Sequence, residues 1–73
     1  MNKLIGEIER KKGAEVVKVL VTTFQDEYYV NIRAFRKDRQ GEFVPTPRGL
    51  TLSTSETAKL GKIVKKALSY TGV

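Results

Sequence analysis

The sequence contains no cysteine and no histidine among its 73 residues. A chain this short buries only about 60% of the surface that its unfolded form exposes, so a lone domain of this length is marginally stable. Small domains usually compensate with disulfides, a structural metal or oligomerisation. Because disulfides need cysteine and most structural metals need cysteine or histidine, we expect an oligomer without a metal site.

The chain also lacks the groups that most catalysis requires. Without histidine, cysteine or a glycine-rich phosphate loop, few side chains remain for proton transfer, nucleophilic attack or nucleotide binding. We therefore predict a non-enzymatic protein with no catalytic residues and no cofactor. The acidic residues on predicted turns and exposed strand positions are interpreted as solvated charges, namely Glu7, Glu9, Asp26, Glu27 and Glu42.

Long hydrophobic runs are missing as well. No stretch approaches the roughly 20 apolar residues of a membrane span, and the N-terminal residues lack the apolar core of a signal peptide. We expect a cytoplasmic protein that associates with the nucleoid, or one in the host cytoplasm if the source is viral.

Positive charge is what the chain has in excess. Fourteen lysines and arginines stand against eight acidic residues, which gives a formal net charge of +6. A polyanion is the natural partner of so basic a small domain. Charge alone does not distinguish DNA from RNA, an acidic protein or an anionic lipid surface.

Two neighbouring segments predict a β-hairpin. Residues 15–24, EVVKVLVTTF, and 27–36, EYYVNIRAFR, are rich in β-branched and aromatic residues and contain no proline or glycine. Gln25 and Asp26 between them predict a two-residue turn.

The turn also predicts the register of the hairpin. It places Thr22 opposite Tyr29 and Lys18 opposite Arg33, with Phe24 on the same side, because side chains alternate between the two faces of a strand. This face is basic and aromatic. The opposite face is predicted to be apolar and to supply core residues from the second strand, namely Tyr28, Val30, Ile32 and Ala34.

The remaining strands are shorter. Residues 42–46 predict an edge strand, Pro47-Arg48-Gly49 predicts a break, and residues 50–52 predict a last short strand. Residues 1–14 form either an extra strand or a flexible basic arm, and we favour the strand. These elements predict one α+β domain, with an antiparallel sheet of four to five strands before a C-terminal helix.

The helix is predicted for residues 53–70, with Ser53 and Glu56 as a capping box at its start. Apolar residues recur at helical spacing along one side. This stripe is wider than the roughly 100° that packing on a single sheet requires. We therefore predict that the stripe also forms a homodimer interface, through Leu60, Ile63, Val64, Ala67 and Leu68.

Basic groups beside aromatic ones suit single-stranded nucleic acid. Proteins that bind single strands without strict sequence preference hold the phosphates with lysine and arginine and stack the bases on aromatic rings. The hairpin face offers both kinds of group. We predict nucleic-acid contacts by Lys18, Phe24, Tyr29 and Arg33 on this face, and by Phe35 further along the second strand.

Several linked features lie between residues 24 and 57. They are Phe24 at a strand end, the strand YVNIRAF, the Gly41-Glu42 turn, Pro45, and the run RGLTL directly before the helix. Together they resemble the positive cofactor four family of transcriptional coactivators, in its bacterial or phage form. The resemblance implies a curved four-stranded sheet with one helix, dimerised largely through the helices, with single-stranded DNA or melted duplex bound along the sheets.

Position by position, Phe24 matches the stacking aromatic of that family, Arg33 its strand arginine and Arg48 a basic residue before a glycine. Arg36 stands where the family has a stacking tryptophan. We predict that Arg36 and Lys37 still contact nucleic acid, since a planar cation can stack on a base. Family lysines are replaced at three positions, by Gln25, Glu27 and Val44. We expect the loss of the two hairpin lysines, at positions 25 and 27, to weaken phosphate binding near that turn.

We therefore predict largely sequence-independent binding of single-stranded DNA, in a coactivator-like role or as an accessory to replication or repair. The transcription or replication machinery would then be a further partner. RNA binding is an alternative, because stacking and phosphate contacts do not read the 2′-hydroxyl. A second alternative is a protein-interaction adaptor for an acidic partner. A membrane-surface role is disfavoured, because the helix lacks interfacial tryptophan and phenylalanine.

Overall fold

Four antiparallel strands follow one another in chain order across a single sheet. The computed structural model describes residues 2–72. Each strand pairs with the next, and one helix begins where the last strand ends. The bounds are β1 Asn2–Arg10, β2 Glu15–Phe24, β3 Glu27–Lys37, β4 Phe43–Ser53 and α1 Thr54–Ser69. The predicted α+β fold, an open curved sheet followed by a C-terminal helix, is confirmed.

The N-terminal segment is a strand, as favoured from the sequence, and not a free arm. β1 pairs with β2 from Asn2 opposite Thr22 to Arg10 opposite Glu15, with a bulge at Ile5. A 3₁₀ turn, Lys11–Gly13, joins the two strands. β1 is one of the two edge strands of the sheet, and every residue in it is exposed.

The β2–β3 hairpin has the predicted turn and register. Gln25 and Asp26 adopt φ values of 51° and 64°. Positive φ at both central residues is the mark of a two-residue type I′ turn, whose twist matches that of the flanking strands. Lys18 therefore lies opposite Arg33, and Thr22 lies opposite Tyr29.

Strand β4 corrects the sequence prediction of two short strands separated by a break. Pro47-Arg48-Gly49 lies inside one continuous strand, so the described residues form four strands and not five. Gly49 pairs with Arg33 and Pro45 pairs with Phe35, which leaves residues 46–48 opposite Ala34 alone. This bulge absorbs the prolines, which an edge strand tolerates because its outer amides need no partner in the sheet.

The chain buries little of itself. Val16 and Ala34 are the buried apolar residues among those that the structure describes. The solvent-accessible area is 6066 Å², whereas a compact monomer of this mass exposes about 4,500 Å². The radius of gyration of 14.0 Å also exceeds the roughly 11 Å of a compact domain of this length. Apolar surface is thus left for another molecule to cover.

Tyr28 corrects a second prediction. It shares a face with Val30, Ile32 and Ala34, as expected from the alternation along β3. Its side chain is nevertheless 57% exposed, so the prediction that it belongs to the core is wrong. The reason is its place beside the Gln25-Asp26 turn, at the end of the sheet, where few side chains are available to cover it.

The apolar stripe of α1 is largely uncovered. The helix contacts β3 and β4, and Leu60 is the one member of the stripe that is half-buried. Ile63, Val64 and Leu68 are 63%, 56% and 51% exposed. These are residues that the sequence predicts at a homodimer interface, and their exposure in the single chain leaves them free for that contact.

Val64→Asp is expected to weaken self-association at least about tenfold, because the new carboxylate would be desolvated at the interface. Sedimentation velocity over a range of concentrations measures this. Ala58→Asp places the same charge on the opposite side of α1 and should leave association unchanged. A wild-type chain that stays monomeric at working concentration would contradict the predicted dimer.

The start of α1 has the predicted capping box. The Ser53 hydroxyl accepts a hydrogen bond from the Glu56 amide at 3.2 Å, and a Glu56 carboxylate oxygen accepts one from the Ser53 amide at 2.9 Å. The hydrogen bond from the Ser53 backbone lowers the pKa of Glu56 below its usual range. The ionised carboxylate therefore stabilises the first turn of the helix.

Glu56→Gln tests this stabilisation through its pH dependence. A lowered folded-state pKa stabilises the fold fully above the usual glutamate value of about 4.3 and loses its effect as the pH falls through the folded-state value. Wild type should therefore be the more stable protein at pH 7, with the difference closing on acidification. Urea unfolding across that range measures the gap, and a gap that does not change with pH would rule this explanation out.

Candidate nucleic-acid interface

The register of β2 and β3 sorts the predicted contact residues between the two faces of the sheet. Alternation along the strands places most of them on one side. We name this side the basic-aromatic face; its predicted contacts are Lys18, Phe24, Tyr29, Arg33, Phe35 and Lys37. The opposite side is the apolar face, with Val17, Val19, Val21, Val30 and Ile32 at its centre.

Arg33 and Lys18 form the centre of the basic-aromatic face. Both side chains are half-buried, on paired positions of neighbouring strands. The Lys18 ammonium lies 4.6 Å from the centroid of the Phe35 ring, a cation–π distance. Arg33 donates from Nη1 to the Thr46 carbonyl oxygen at 3.0 Å and from Nε to Asn31 Oδ1 at 3.4 Å. The guanidinium is thereby held across the sheet toward β4.

Gly49 makes room for this arginine. A Cβ atom at position 49 would lie 2.6 Å from the Ile32 carbonyl oxygen and 3.1 Å from Cζ of Arg33. Both distances are shorter than a normal contact, so β4 can approach β3 here only without a side chain. The glycine beside Arg48 is therefore a packing requirement of the Arg33 site.

The hairpin end of the face carries two aromatic rings. Phe24 is 64% exposed at the last position of β2. Tyr29 is half-buried, and its hydroxyl donates to Glu27 Oε2 at 3.2 Å. This hydrogen bond and the negative charge of Glu27 raise the pKa of Tyr29. The phenol stays neutral, and Phe24 offers an apolar ring to solvent on which a base can stack.

The other end of the face combines Lys37 with an aromatic ring that the sequence reasoning missed. The Lys37 ammonium lies 5.4 Å from the centroid of the Phe43 ring, on the paired position of β4. Phe43 was not singled out because it follows the polar loop. Its signal was its period-two spacing with Pro45 along the predicted edge strand.

Two acidic side chains border the same face. Glu7 of β1 lies opposite Lys18, and Glu9 lies opposite Val16. Both are exposed, in line with their interpretation as solvated charges. Their position beside Lys18 is new information, because they lower the positive potential along the β1 side of the face. The strongest positive charge therefore lies toward β3.

Arg36 and Arg48 lie away from the other predicted contacts. Arg36 pairs with Glu15 of β2 and Val44 of β4, on the side of the apolar face. With Arg48 it borders a shallow cleft against Pro45 and Pro47. The sequence grouped both arginines with Arg33 as phosphate contacts, but the structure gives them a separate surface.

Glu15 is a second residue, after Phe43, that the sequence prediction missed. It is 1% exposed, and its carboxylate forms an ion pair with Arg48 and lies 3.5 Å from the Lys11 ammonium. A signal was present, because Glu15 is in phase with Val17 and Val19, which face the apolar side. A charge in such a position needs a partner.

Other kinds of site find little support in the part of the chain that the structure describes. Residues 2–72 contain no group of three or more acidic, cysteine or histidine side chains able to hold a metal ion. Within the same range, no helix is long and apolar enough to cross a membrane.

The family model for Transcriptional Coactivator p15 (PC4) matches residues 10–63, which include the hairpin, β4 and most of α1. The chain belongs to the PC4 family. This confirms the resemblance seen in the sequence. A comparison with curated protein sequences finds no match.

Solved structures of PC4 homologs share the fold. A homolog from Burkholderia pseudomallei is 24% identical in its orthorhombic form, with a TM-score of 0.78 over 90% of this chain and 88% of its own. Its tetragonal form gives 0.79 and 24%, over 92% and 97%. A bacteriophage T5 homolog of the eukaryotic coactivator PC4 gives 0.72 and 27% identity, over 93% of this chain and 81% of its own.

The structure shows the surroundings of the three residues that replace lysines of the PC4 pattern. Gln25 occupies the turn with positive φ, Glu27 accepts the hydrogen bond of Tyr29, and Val44 is 40% exposed beside Arg36. None of these side chains supplies the positive charge that the PC4 resemblance leads one to expect there. Cationic groups of this PC4 member lie instead at the centre of the face and at its Lys37 end.

Gly49→Ala is expected to destabilise the protein by about 1–3 kcal/mol, because the added methyl group overpacks the contact with Ile32 and Arg33. Urea unfolding measures the loss. Gly6→Ala is the matched control, since a Cβ at this strand glycine meets no atom within 4 Å. Equal stability of the two variants would show that β4 does not need its close approach to Arg33.

Proposed function

We propose that this protein binds single-stranded DNA as a non-enzymatic homodimer, largely independently of sequence, along its basic-aromatic face. One observation carries the proposal. Phe24 is 64% exposed at the hairpin end, on the same face as the paired cations Lys18 and Arg33. An aromatic ring open to solvent beside fixed cations offers a single strand both of its main attachments, base stacking and phosphate neutralisation.

The geometry favours a single strand over a duplex. Stacking on an aromatic ring is worth about 1–3 kcal/mol per base, and it needs bases that are free of their own stack. In a duplex the bases are paired and stacked on each other, so no base face is free to stack on Phe24 or Tyr29. Only the phosphate contacts then remain. Sequence independence follows, because every base has a π face.

Family membership supports the same proposal. The family is described as that of a transcriptional coactivator, and the bacteriophage T5 homolog is implicated in recombination-dependent DNA replication. For this chain we propose a coactivator-like role or an accessory role in replication or repair, in the cytoplasm with the nucleoid or in a viral host. We propose contacts with transcription or replication machinery as secondary to DNA binding.

Dimerisation through the stripe of α1 would give each particle two basic-aromatic faces. If Lys18, Arg33, Arg36 and Arg48 all contact phosphate, a dimer neutralises eight charges. At about 0.7 released counterions per contact, the slope of log affinity against log salt concentration is then about −5 to −6. Contacts by the basic-aromatic face alone would give a shallower slope.

A titration of labelled single-stranded and duplex oligonucleotides of one sequence, at two salt concentrations, tests the proposal. We expect tighter binding to the single strand and a steep loss with salt. Phe24→Ala should weaken single-strand binding by roughly 5- to 150-fold for each stacked base lost, from the stacking energies given above. Phe24→Ala combined with Arg33→Ala should reduce it to the level of the duplex.

Matched controls distinguish DNA binding by the basic-aromatic face from general attraction between the basic protein and DNA. Tyr28→Ala removes a ring of similar exposure beside the same turn but on the opposite face, and Lys62→Ala removes a cation of α1. Neither should change affinity more than about twofold. Equal weak binding to both DNA forms that no variant alters would contradict the proposal and favour an adaptor for an acidic protein. Stronger binding of a matched RNA would assign the face to RNA.

A further inference from the structure

Glu15 is an acidic side chain buried within a basic protein. It is 1% exposed at the start of β2. One carboxylate oxygen contacts Nη2 of Arg48, and the other lies 3.5 Å from the Lys11 ammonium without a hydrogen bond. A buried carboxylate is unfavourable unless cations compensate it. Glu15 therefore requires the cationic groups of Arg48 and Lys11 to stay close to its carboxylate.

Arg48 is fixed from two directions. Its backbone amide donates to Thr46 Oγ1 at 3.2 Å, and that hydroxyl donates to the Ala34 carbonyl oxygen at 2.9 Å. These bonds hold the β4 bulge to β3, and the ion pair with Glu15 holds the guanidinium to β2. The Arg48 side chain is still 57% exposed. Because a guanidinium has five N–H donors, it can contact Glu15 and a phosphate together.

We propose that Glu15 is a positioning residue that presents Arg48 to a phosphate where bound DNA leaves the basic-aromatic face across the β4 edge, since Thr46 in that edge contacts both Arg33 and Arg48. This inference rests on the proposed function. An arginine free at the edge of a sheet must lose the freedom of its long side chain when it binds, whereas an arginine already fixed by Glu15 has lost much of it beforehand. Arg10 and Arg36 pair with Glu15 on the neighbouring strands, so the surface keeps a positive charge around the carboxylate.

Glu15→Gln distinguishes positioning from simple charge. Charge alone predicts tighter DNA binding when an acidic group is removed. Positioning predicts the opposite, a loss of about threefold or more, because a neutral amide oxygen holds the Arg48 guanidinium more weakly than a carboxylate does. Fluorescence anisotropy with labelled single-stranded DNA measures the affinity of the full chain. Glu7→Gln removes an exposed carboxylate beside Lys18 and should bind equally well or more tightly.

The salt dependence gives a readout that loss of stability alone would not change. If the Arg48 contact is lost in both subunits, the log-log slope should become shallower by about 1.4 in Glu15→Gln, and stay unchanged in Glu7→Gln. Thermal unfolding checks that each variant is folded under the binding conditions. The same slope in Glu15→Gln and wild type would overturn the positioning role.

Whether Arg48 binds DNA without Glu15 is tested by removing both side chains. Among the residues that the structure describes, the single variant Arg48→Ala would leave the buried Glu15 carboxylate with Lys11 as its one ion-pair partner, whereas the double variant Glu15→Gln/Arg48→Ala leaves no buried charge at this place. Removing Arg48 from the Glu15→Gln protein should cost less than about twofold in affinity, and a larger loss would show that Arg48 binds DNA without Glu15. If wild type fails to bind single strands, the proposed function itself is overturned. If wild type binds and Glu15→Gln binds more tightly, only the role of Glu15 is overturned.

Discussion

The register of the β2–β3 hairpin determines which side chains meet on each face of the sheet. Gln25 and Asp26 hold a two-residue turn whose φ values are both positive. A slip of one residue would move every side chain of a strand to the opposite face. Lys18 would then leave the side of Arg33, and Val17, Val19 and Val21 would leave the apolar face. The placement of β4 follows from the same register, because Arg33 reaches the Thr46 carbonyl and lies against Gly49.

Because one face of the sheet is polar and open to solvent, few surfaces of the molecule remain to build a hydrophobic core. The molecule is only 18 Å thick along its shortest axis, and the apolar stripe of α1 is exposed beyond Leu60. The basic-aromatic face cannot be covered without blocking the proposed site. The apolar face and the exposed stripe of α1 are the surfaces that the proposed homodimer would cover. If that dimer forms, the stability of the fold and the accessibility of the basic-aromatic face are linked, because the second copy buries apolar surface while the basic-aromatic face stays open.

Local features of the fold were predictable from the sequence, whereas features that depend on distant residues were not. The hairpin, its register and the Ser53–Glu56 cap depend on neighbouring residues, and the structure has all three. The continuity of β4 depends on a bulge stabilised by Arg33 and Ala34, so the Pro47-Arg48-Gly49 run reads as a break. Alternation of side chains along β3 already places Arg36 and Arg33 on opposite faces of the sheet, so this separation was predictable from the sequence. The Glu15–Arg48 pair spans 33 residues, so the phase of Glu15 along β2 indicates that it needs a partner but not which residue that partner is.

Mapping backbone amide chemical shifts during titration with an unlabelled single-stranded oligonucleotide would locate the binding surface residue by residue. We expect the largest changes on β2 and β3 around Lys18, Phe24 and Arg33, with further changes at Arg48. Amides on the lysine-bearing side of α1 should change little. Changes concentrated on the helix, or spread evenly over all cationic segments, would contradict a binding site on the basic-aromatic face.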